Sequence, residues 1–355
     1  MKGIRTMNSI ERVLATLKGE IPDMVPIVEI VIEKNIREKI MPSASILDFY
    51  DNVDIDGIVI FEDIPWLEVS SNVKKDHFGC LRHFRDNEGD SWPLPLEPLI
   101  KNDNLNNFLN NYKIPNPHDP IRLTTLRAAV DRLKGKKAII FGMHSSFLYP
   151  SFIRGFDNLL MDYIVNPDFA KHLTQMVVNY FVELEKHAID YGADAIIDCE
   201  DYCSKLGPFV SEQHFREFIL PGLIEVISTA KRRNIPFMKH SDGNVWSLLD
   251  MLVDSGIDSY NPVETNAGMD IGKVKKIYGN KITLHGNVDS ANLMVFGKPE
   301  DVKIAVKECI KIASPGGRFI LSSSSGIHSH VIPENFLAMI DAARYFGRYP
   351  IKIKD

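Results

Sequence analysis

The segment KHSDGN sets an imidazole, His240, and a carboxylate, Asp242, two residues apart. Alternate side chains of an extended chain share a face, so this pair is placed to grip one ion or one substrate group together. Glu264 and His285 end the next two apolar runs. His240, Asp242, Glu264 and His285 form a candidate ligand set of nitrogen and oxygen donors, suited to a borderline or hard divalent ion such as zinc. A lone histidine at such a position is more often simply hydrogen-bonded, so the expectation rests on the set.

Other ionisable residues recur at comparable places. Asp63 follows IFE, His144 follows AIIFGM, and Asp198 and Asp201 lie in AIIDCED. Asp63, Asp198 and His144 are candidates for general acid–base work or for holding an N–H-bearing substrate. Helix capping or a solvated rim competes with that role, most strongly at Asp201. Tyr149, Asp201, Ser325 and His328 are candidate substrate contacts. Cys199 and Cys203, without a second pair, read as structural rather than zinc-binding. SSSSGIH has the small residues and free amides of an anion loop, and equally fits a tight strand-to-helix connection.

These residues need elements to carry them, and the sequence supplies a repeating unit. Short apolar runs end in polar residues, and each is followed by a helical stretch and then a glycine. In the stretch from Asn166 to Gly192, Leu173, Met176, Val177, Tyr180, Phe181 and Leu184 fall at helical spacing, with Pro167 at a first-turn position. The unit recurs over Ser211–Asn234, Asn244–Gly256, Asp270–Gly279 and Lys298–Gly317. Helices are also expected at Ser9–Lys18 and Pro333–Tyr345. The glycines are expected in the left-handed conformation that ends a helix. The polar-ended runs are VPIVE, GIVIFED, AIIFGMH, AIIDCED, FMKHSD, YNPVE, ITLHGN and FILSSSS, eight in all. Eight parallel strands close a (β/α)8 barrel, whose chemistry sits at the strand C-termini. No glycine-rich phosphate loop follows an early strand, which argues against an open doubly wound sheet. So many ionisable groups at strand ends would be costly to bury unless paired, protonated or metal-bound.

One stretch breaks the pattern. Residues 64–120, between the second and third strands, are rich in Asn, Pro and Asp. An insertion of this size above a barrel rim is expected to form a lid, and VKKDHFGCLRHFRDNEG reads as a hairpin turning at Asn87–Gly89. The whole chain, 1–355, is expected to form one barrel domain around it.

Composition narrows the function classes. The chain has 355 residues, 45% hydrophobic and 25% charged, with net charge -6 and no basic block. A nucleic-acid partner or an anionic membrane surface is therefore not expected. No apolar run approaches the roughly 20 residues that span a bilayer. The opening segment has Lys2 and Arg5 but no apolar core or cleavage site, so it reads as the start of a helix. Four irregularly spaced cysteines suit a reducing compartment, and a cytoplasmic enzyme is expected.

The chain resembles the uroporphyrinogen decarboxylase superfamily along nearly its full length. ERVLATLKGEIPDMVPI is similar to the family's opening, and IFEDI to the strand that carries its substrate-binding aspartate. GADAIIDCED, GPFVSEQHFREFILP, HSDGN, LHGNVD and GGRFILSSSSGIHSHVIPENFLAMIDAARYFGRYP follow in the family's order. The resemblance implies one of two chemistries. One is cofactor-free decarboxylation of tetrapyrrole acetate arms. The other is zinc-dependent methyl transfer between a corrinoid and a thiol or methoxylated substrate.

The sequence departs from both patterns. The decarboxylases' arginine-containing loop after the first strand reads IVEIVIEKNIREKI here, with Glu29 where positive charge is needed, and their GHG motif reads SSG, with Ser325 in the histidine position. A polyanionic substrate requires such cations, which argues against haem-pathway activity. The methyltransferases' His-x-Cys motif keeps its histidine as His240 but has Asp242 for the cysteine, and a serine, Ser325 or a neighbour, stands for the later cysteine. Oxygen ligands make a harder metal, able to polarise an ether or alkoxide oxygen. The expected enzyme is a metal-dependent methyltransferase. In that reading His240, Glu264 and His285 hold the metal, Asp198 assists as an acid, and a corrinoid protein accepts the methyl group. A carboxy-lyase acting on a small acid or tetrapyrrole, and a non-catalytic ligand-binding barrel, are the alternatives. The sequence leaves the assembly open, with a homodimer as one candidate.

Overall fold

The computed structural model describes residues 5–84, 93–100 and 105–353. Seven parallel strands form one curled sheet. They are β1 (Gly57–Phe61), β2 (Ala138–Met143), β3 (Ala195–Cys199), β4 (Phe237–His240), β5 (Ser259–Asn261), β6 (Thr283–Val288) and β7 (Phe319–Ser323), hydrogen-bonded in that order. The first run, VPIVE, forms isolated bridges instead of a ladder. Ile27 bridges Leu321 and Val28 bridges Gly57, both parallel, so this segment joins the two edge strands and closes the barrel. Pro26 has no N–H to donate, which limits pairing here, although its carbonyl accepts from Leu321 N at 2.9 Å.

Strand alternation sorts the wall into two layers. Val59, Ile140, Ile197, Cys199, Met238 and Ile320 face inward, and Val13 and Leu17 of the helix Ser9–Leu17 join the same cluster. That helix closes the N-terminal end, where Thr283 Oγ1 donates to Thr16 O at 2.8 Å. Ile58, Ile60, Phe141, Ile196, Phe237 and Leu321 face outward and pack under the helices. The polar strand ends are therefore left at the opposite mouth.

Most helices form where periodicity places them. Pro167–Tyr191 ends at Gly192, which is left-handed at φ 116°. Gly279 differs, remaining right-handed at φ -65° because the helix Ile271–Tyr278 simply ends in a further right-handed turn. The single helix expected over Ser211–Asn234 is interrupted by a π-helical turn, Phe215–Ile219, before Leu220–Arg232. Pro221 cannot donate to the fourth residue before it, and its ring crowds that carbonyl. The helix expected over Asn244–Gly256 shortens to Leu249–Asp254.

The insertion carries its own antiparallel sheet, of strands Leu67–Ser70, Val73–Lys75, Leu81–His83 and Leu94–Glu97 in sequential order. Val73–Lys75 and Leu81–His83 pair directly, which adds a turn that was not expected. Asp76 makes that turn, accepting Cys80 N on Oδ1 at 2.8 Å. The expected turn at Asn87–Gly89 lies outside the described residues. Phe78 anchors the insertion, with its ring 4.4 Å from that of Tyr149 and 4.9 Å from that of Tyr180.

Candidate metal centre at the barrel mouth

β3 and β4 run in register, with His240 opposite Cys199. Two residues beyond each lie Asp201 and Asp242, on the inward phase. Among the described residues, Asp201, His240 and Asp242 form a group whose ligand atoms all lie within 4.8 Å of one another. His240 Nε2 is 3.6 Å from Asp201 Oδ1 and 3.8 Å from Asp242 Oδ1. The other ring nitrogen, Nδ1, lies 2.6 Å from Asn261 Oδ1 at the end of β5. An amide oxygen can only accept, so Nδ1 carries the proton and Nε2 presents a lone pair to the carboxylates. Asn261 is itself fixed, its Nδ2 donating to His285 O at 3.1 Å and Ser322 Oγ at 3.3 Å.

Each carboxylate is oriented by a neighbour. Asp242 N donates to Asp201 Oδ1 at 2.8 Å, and Ser325 Oγ donates to Asp242 Oδ2 at 2.8 Å. Asp242 Oδ1 is buried without a hydrogen-bond donor. Burial pushes the Asp242 carboxyl up to about 6 against the pull of His240, and the charges of Asp201 and Glu264 add to the rise. Gly243 follows at φ 90°, and a Cβ there would sit 2.5 Å from Cys203 O. The chain can therefore turn after Asp242 only with glycine at this position. An orphaned oxygen, a directed imidazole lone pair and two neighbouring carboxylates fit a divalent cation, whose charge relieves their mutual repulsion.

The other candidates are placed differently. Glu264 lies beside the group, with Oε2 accepting Gly243 N at 2.7 Å. His285 is fully buried and turns to the closing segment, its Nε2 lying 2.8 Å from Val28 O. Burial lowers it to about 4, so it is neutral and Nε2 donates to that carbonyl. Asp198 has the opposite phase to Cys199 and faces the helix layer, paired with Lys239 Nζ at 2.9 Å, both side chains 0% exposed. It does not share the mouth with His240. Asp63 caps the helix Thr124–Leu133, accepting Thr125 N at 2.8 Å and Thr125 Oγ1 at 2.6 Å.

His144 and Tyr149 belong to an aromatic group beneath the insertion, their ring centroids 5.8 Å apart. His144 Nδ1 is 2.5 Å from Cys199 O and its ring stacks on Phe61. His328 Nε2 is 3.0 Å from Ser290 O, so the SSSSGIH loop is tied to the end of β6. The structure thus brings together His240, Asp242, Asp201 and Ser325, with Glu264 adjacent. Sequence reasoning missed Asn261, although its position two residues after the inward Ser259 marks it. It also missed Lys239, while Glu200, which the sequence marks as one more ionisable strand end, uses its carboxylate to accept the backbone N–H groups of Ser145, Ser146, Phe147 and Leu148.

With this geometry in hand, comparison with known proteins is informative. The sequence profile described as uroporphyrinogen decarboxylase (URO-D) matches residues 8–346. A uroporphyrinogen decarboxylase from Aromatoleum aromaticum is 24% identical over 310 residues, covering 83% of this chain and 80% of that protein. Another, from an Azoarcus species, is 23% identical over 313 residues, covering 83% and 79%. A solved methyltransferase from Methanosarcina mazei matches with a TM-score of 0.77 at 19% identity, over 96% of this chain and 99% of that one. That structural likeness speaks for the shared barrel, and the profile spans nearly every element described above. The chain therefore belongs to the uroporphyrinogen decarboxylase family.

Proposed function

We propose that the protein is a zinc-dependent methyltransferase that passes a methyl group from a small methoxylated substrate to a corrinoid carried by a partner protein. The observation that carries this reading is the convergence of Asp201, His240 and Asp242, with Asp242 Oδ1 buried and unpartnered. The likeness to the Methanosarcina mazei methyltransferase supports the choice of branch.

The three side chains would hold the metal, with Glu264 as a further carboxylate beside them. The ion supplies Lewis acidity toward a substrate ether oxygen. The chain's own contribution is orientation. Asn261 keeps the proton on Nδ1 of His240, so that Nε2 stays a ligand. Ser325 ties up Asp242 Oδ2 and leaves Oδ1 to face inward. The insertion docks through Phe78 against Tyr149 and Tyr180.

The test is metal analysis of the purified protein and of His240→Ala, alongside methylation of cob(I)alamin by methoxylated aromatic and aliphatic substrates, followed by visible absorption. Stoichiometric zinc, lost together with methyl transfer in His240→Ala, is the expected result. A metal-free protein with full activity would sink the reading. The names of the curated relatives favour a second reading, carboxy-lyase activity on a small acid, which predicts CO2 release indifferent to chelators.

A further inference from the structure

The segment that returns the insertion to the barrel sets His118 against His187 of the helix Pro167–Tyr191. His118 Nδ1 lies 2.6 Å from His187 Nε2, and the ring planes cross at 83°. The loop holding His118 is fixed on both sides. Its own N–H donates to Asn116 Oδ1 at 3.0 Å, and the next residue, Asp119, accepts Ile121 N at 3.1 Å. At this distance one ring N–H donates to the lone pair of the other, and a cation that displaces that shared proton would find both ring nitrogens already facing each other.

Glu183 lies one helical turn before His187, on the same face. Lys186 Nζ donates to its Oε1 at 2.6 Å. That hydrogen bond lowers its carboxyl first, against burial, and charge on Lys186, His118 and His187 lowers it further, so both imidazoles are within its electrostatic reach. None of these residues belongs to the mouth group. His118 is exposed and His187 is partly so, which gives an ion direct entry from solvent.

We propose that His118 and His187, joined by Glu183 once it releases Lys186, bind a divalent transition-metal ion that clamps the end of the insertion to the helix Pro167–Tyr191. Two imidazoles and a carboxylate are a donor set favoured by zinc, nickel and cobalt. One of the three comes from a loop and two from a helix, so the bound ion ties the two segments together. The ion stabilises the folded chain in proportion to its occupancy.

Cobalt(II) alone is the probe, read by its visible d–d absorption and by the melting temperature of the full chain. The variants that test this site all carry His240→Ala, which removes the mouth imidazole. The His240→Ala protein is expected to bind one Co2+ and to melt at higher temperature with it. Adding His118→Ala or His187→Ala is expected to weaken binding at least about tenfold and to abolish the melting shift, with Glu183→Gln weakening it less. Unchanged Co2+ binding in His240→Ala/His187→Ala, or no Co2+ spectrum in His240→Ala, would mean that the histidines share only a proton, and the proposal falls. Failure of the mouth-metal reading would appear separately, as wild type and His240→Ala binding Co2+ alike.

Discussion

Both faces of the barrel wall carry charges near the strand ends, and they treat them in opposite ways. At the mouth, Asp201 and Asp242 converge on His240, and their side chains are 50%, 29% and 14% exposed, respectively. One residue out of phase, Asp198 and Lys239 are 0% exposed and paired with each other. Lys239 also donates to His240 O at 2.7 Å and Glu200 O at 3.1 Å, and lies over the Tyr202 ring. Asp198 and Lys239, in the outward layer, answer each other's charge from neighbouring strands. In the inward group two anions face one imidazole and an oxygen is left over. Charge that is fully answered holds a fold together, whereas charge left over at a solvent-linked mouth awaits a ligand.

The comparison can be broken most severely at His240. His240→Ala should cost at least about 10^3-fold in turnover, roughly 4 kcal/mol of transition-state stabilisation, with little change in melting temperature. Steady-state kinetics and calorimetry on one preparation check both halves. If stability falls as far as activity, the inward group is structural after all.

Lys239→Met should show the reverse pattern. It strands Asp198 in the helix layer and should remove about 3–5 kcal/mol of folding stability. Lys239→Met combined with Asp198→Asn should recover most of that loss in urea titrations, because no uncompensated charge remains. A double variant as unstable as the single one would show that the pair is not a unit.

Asn261→Ala sharpens the mouth side. It frees His240 to change tautomer and should weaken metal binding by about 10–100-fold without altering stoichiometry. Isothermal titration with zinc measures it, and an unchanged affinity would remove Asn261 from its orienting role.

The smallest effect is a pH slope to which two buried groups, Glu29 and His285, contribute in opposite senses. Burial raises Glu29 to about 8, against its hydrogen bonds from Ser323. The unfolded chain gives up that proton near the ordinary glutamate value of 4.5, so stability falls as pH rises from there to 8. His285 is lowered to about 4 from 6.5, so the unfolded chain binds the extra proton and stability rises with pH between those values. The two slopes oppose each other up to about 6.5, leaving a net decline between 6.5 and 8. Urea midpoints across this range should show it, and Glu29→Gln should reduce it, with buried Glu185 acting in the same sense. An undiminished decline in Glu29→Gln would assign it to other groups.

The barrel was legible because its period-2 runs and helical stretches alternate eight times, and burial of both sheet faces writes long apolar runs into the sequence. The helix over Pro167–Tyr191 and its glycine end follow from local chemistry alone. The first strand was overread. VPIVE has strand composition, yet it makes only bridges to Leu321 and Gly57. The insertion holds a turn that periodicity did not signal, where Asp76 caps the link between Val73–Lys75 and Leu81–His83, while the asparagine–glycine signal further along lies outside the described residues. At the site, the spacing of His240 and Asp242 identified that pair. Glu264 and His285 were added because they end the next strands, and the structure gives their side chains other partners, Gly243 N and Val28 O.

Sequence by itself determined the element order, the polar strand ends, and the phase relation that separates Asp201 from Asp198. Side-chain direction in a strand repeats every two residues, so the face of each group is local information. Only the tertiary structure decided which groups on a face meet. Register across β3, β4 and β5 sets Cys199, His240 and Asn261 side by side, and a glycine turn brings Asp242 within reach of Asp201. It also brought His118 to His187 across 69 residues of chain. Such meetings depend on strand pairing and helix packing between distant segments, and no local preference of the chain encodes them.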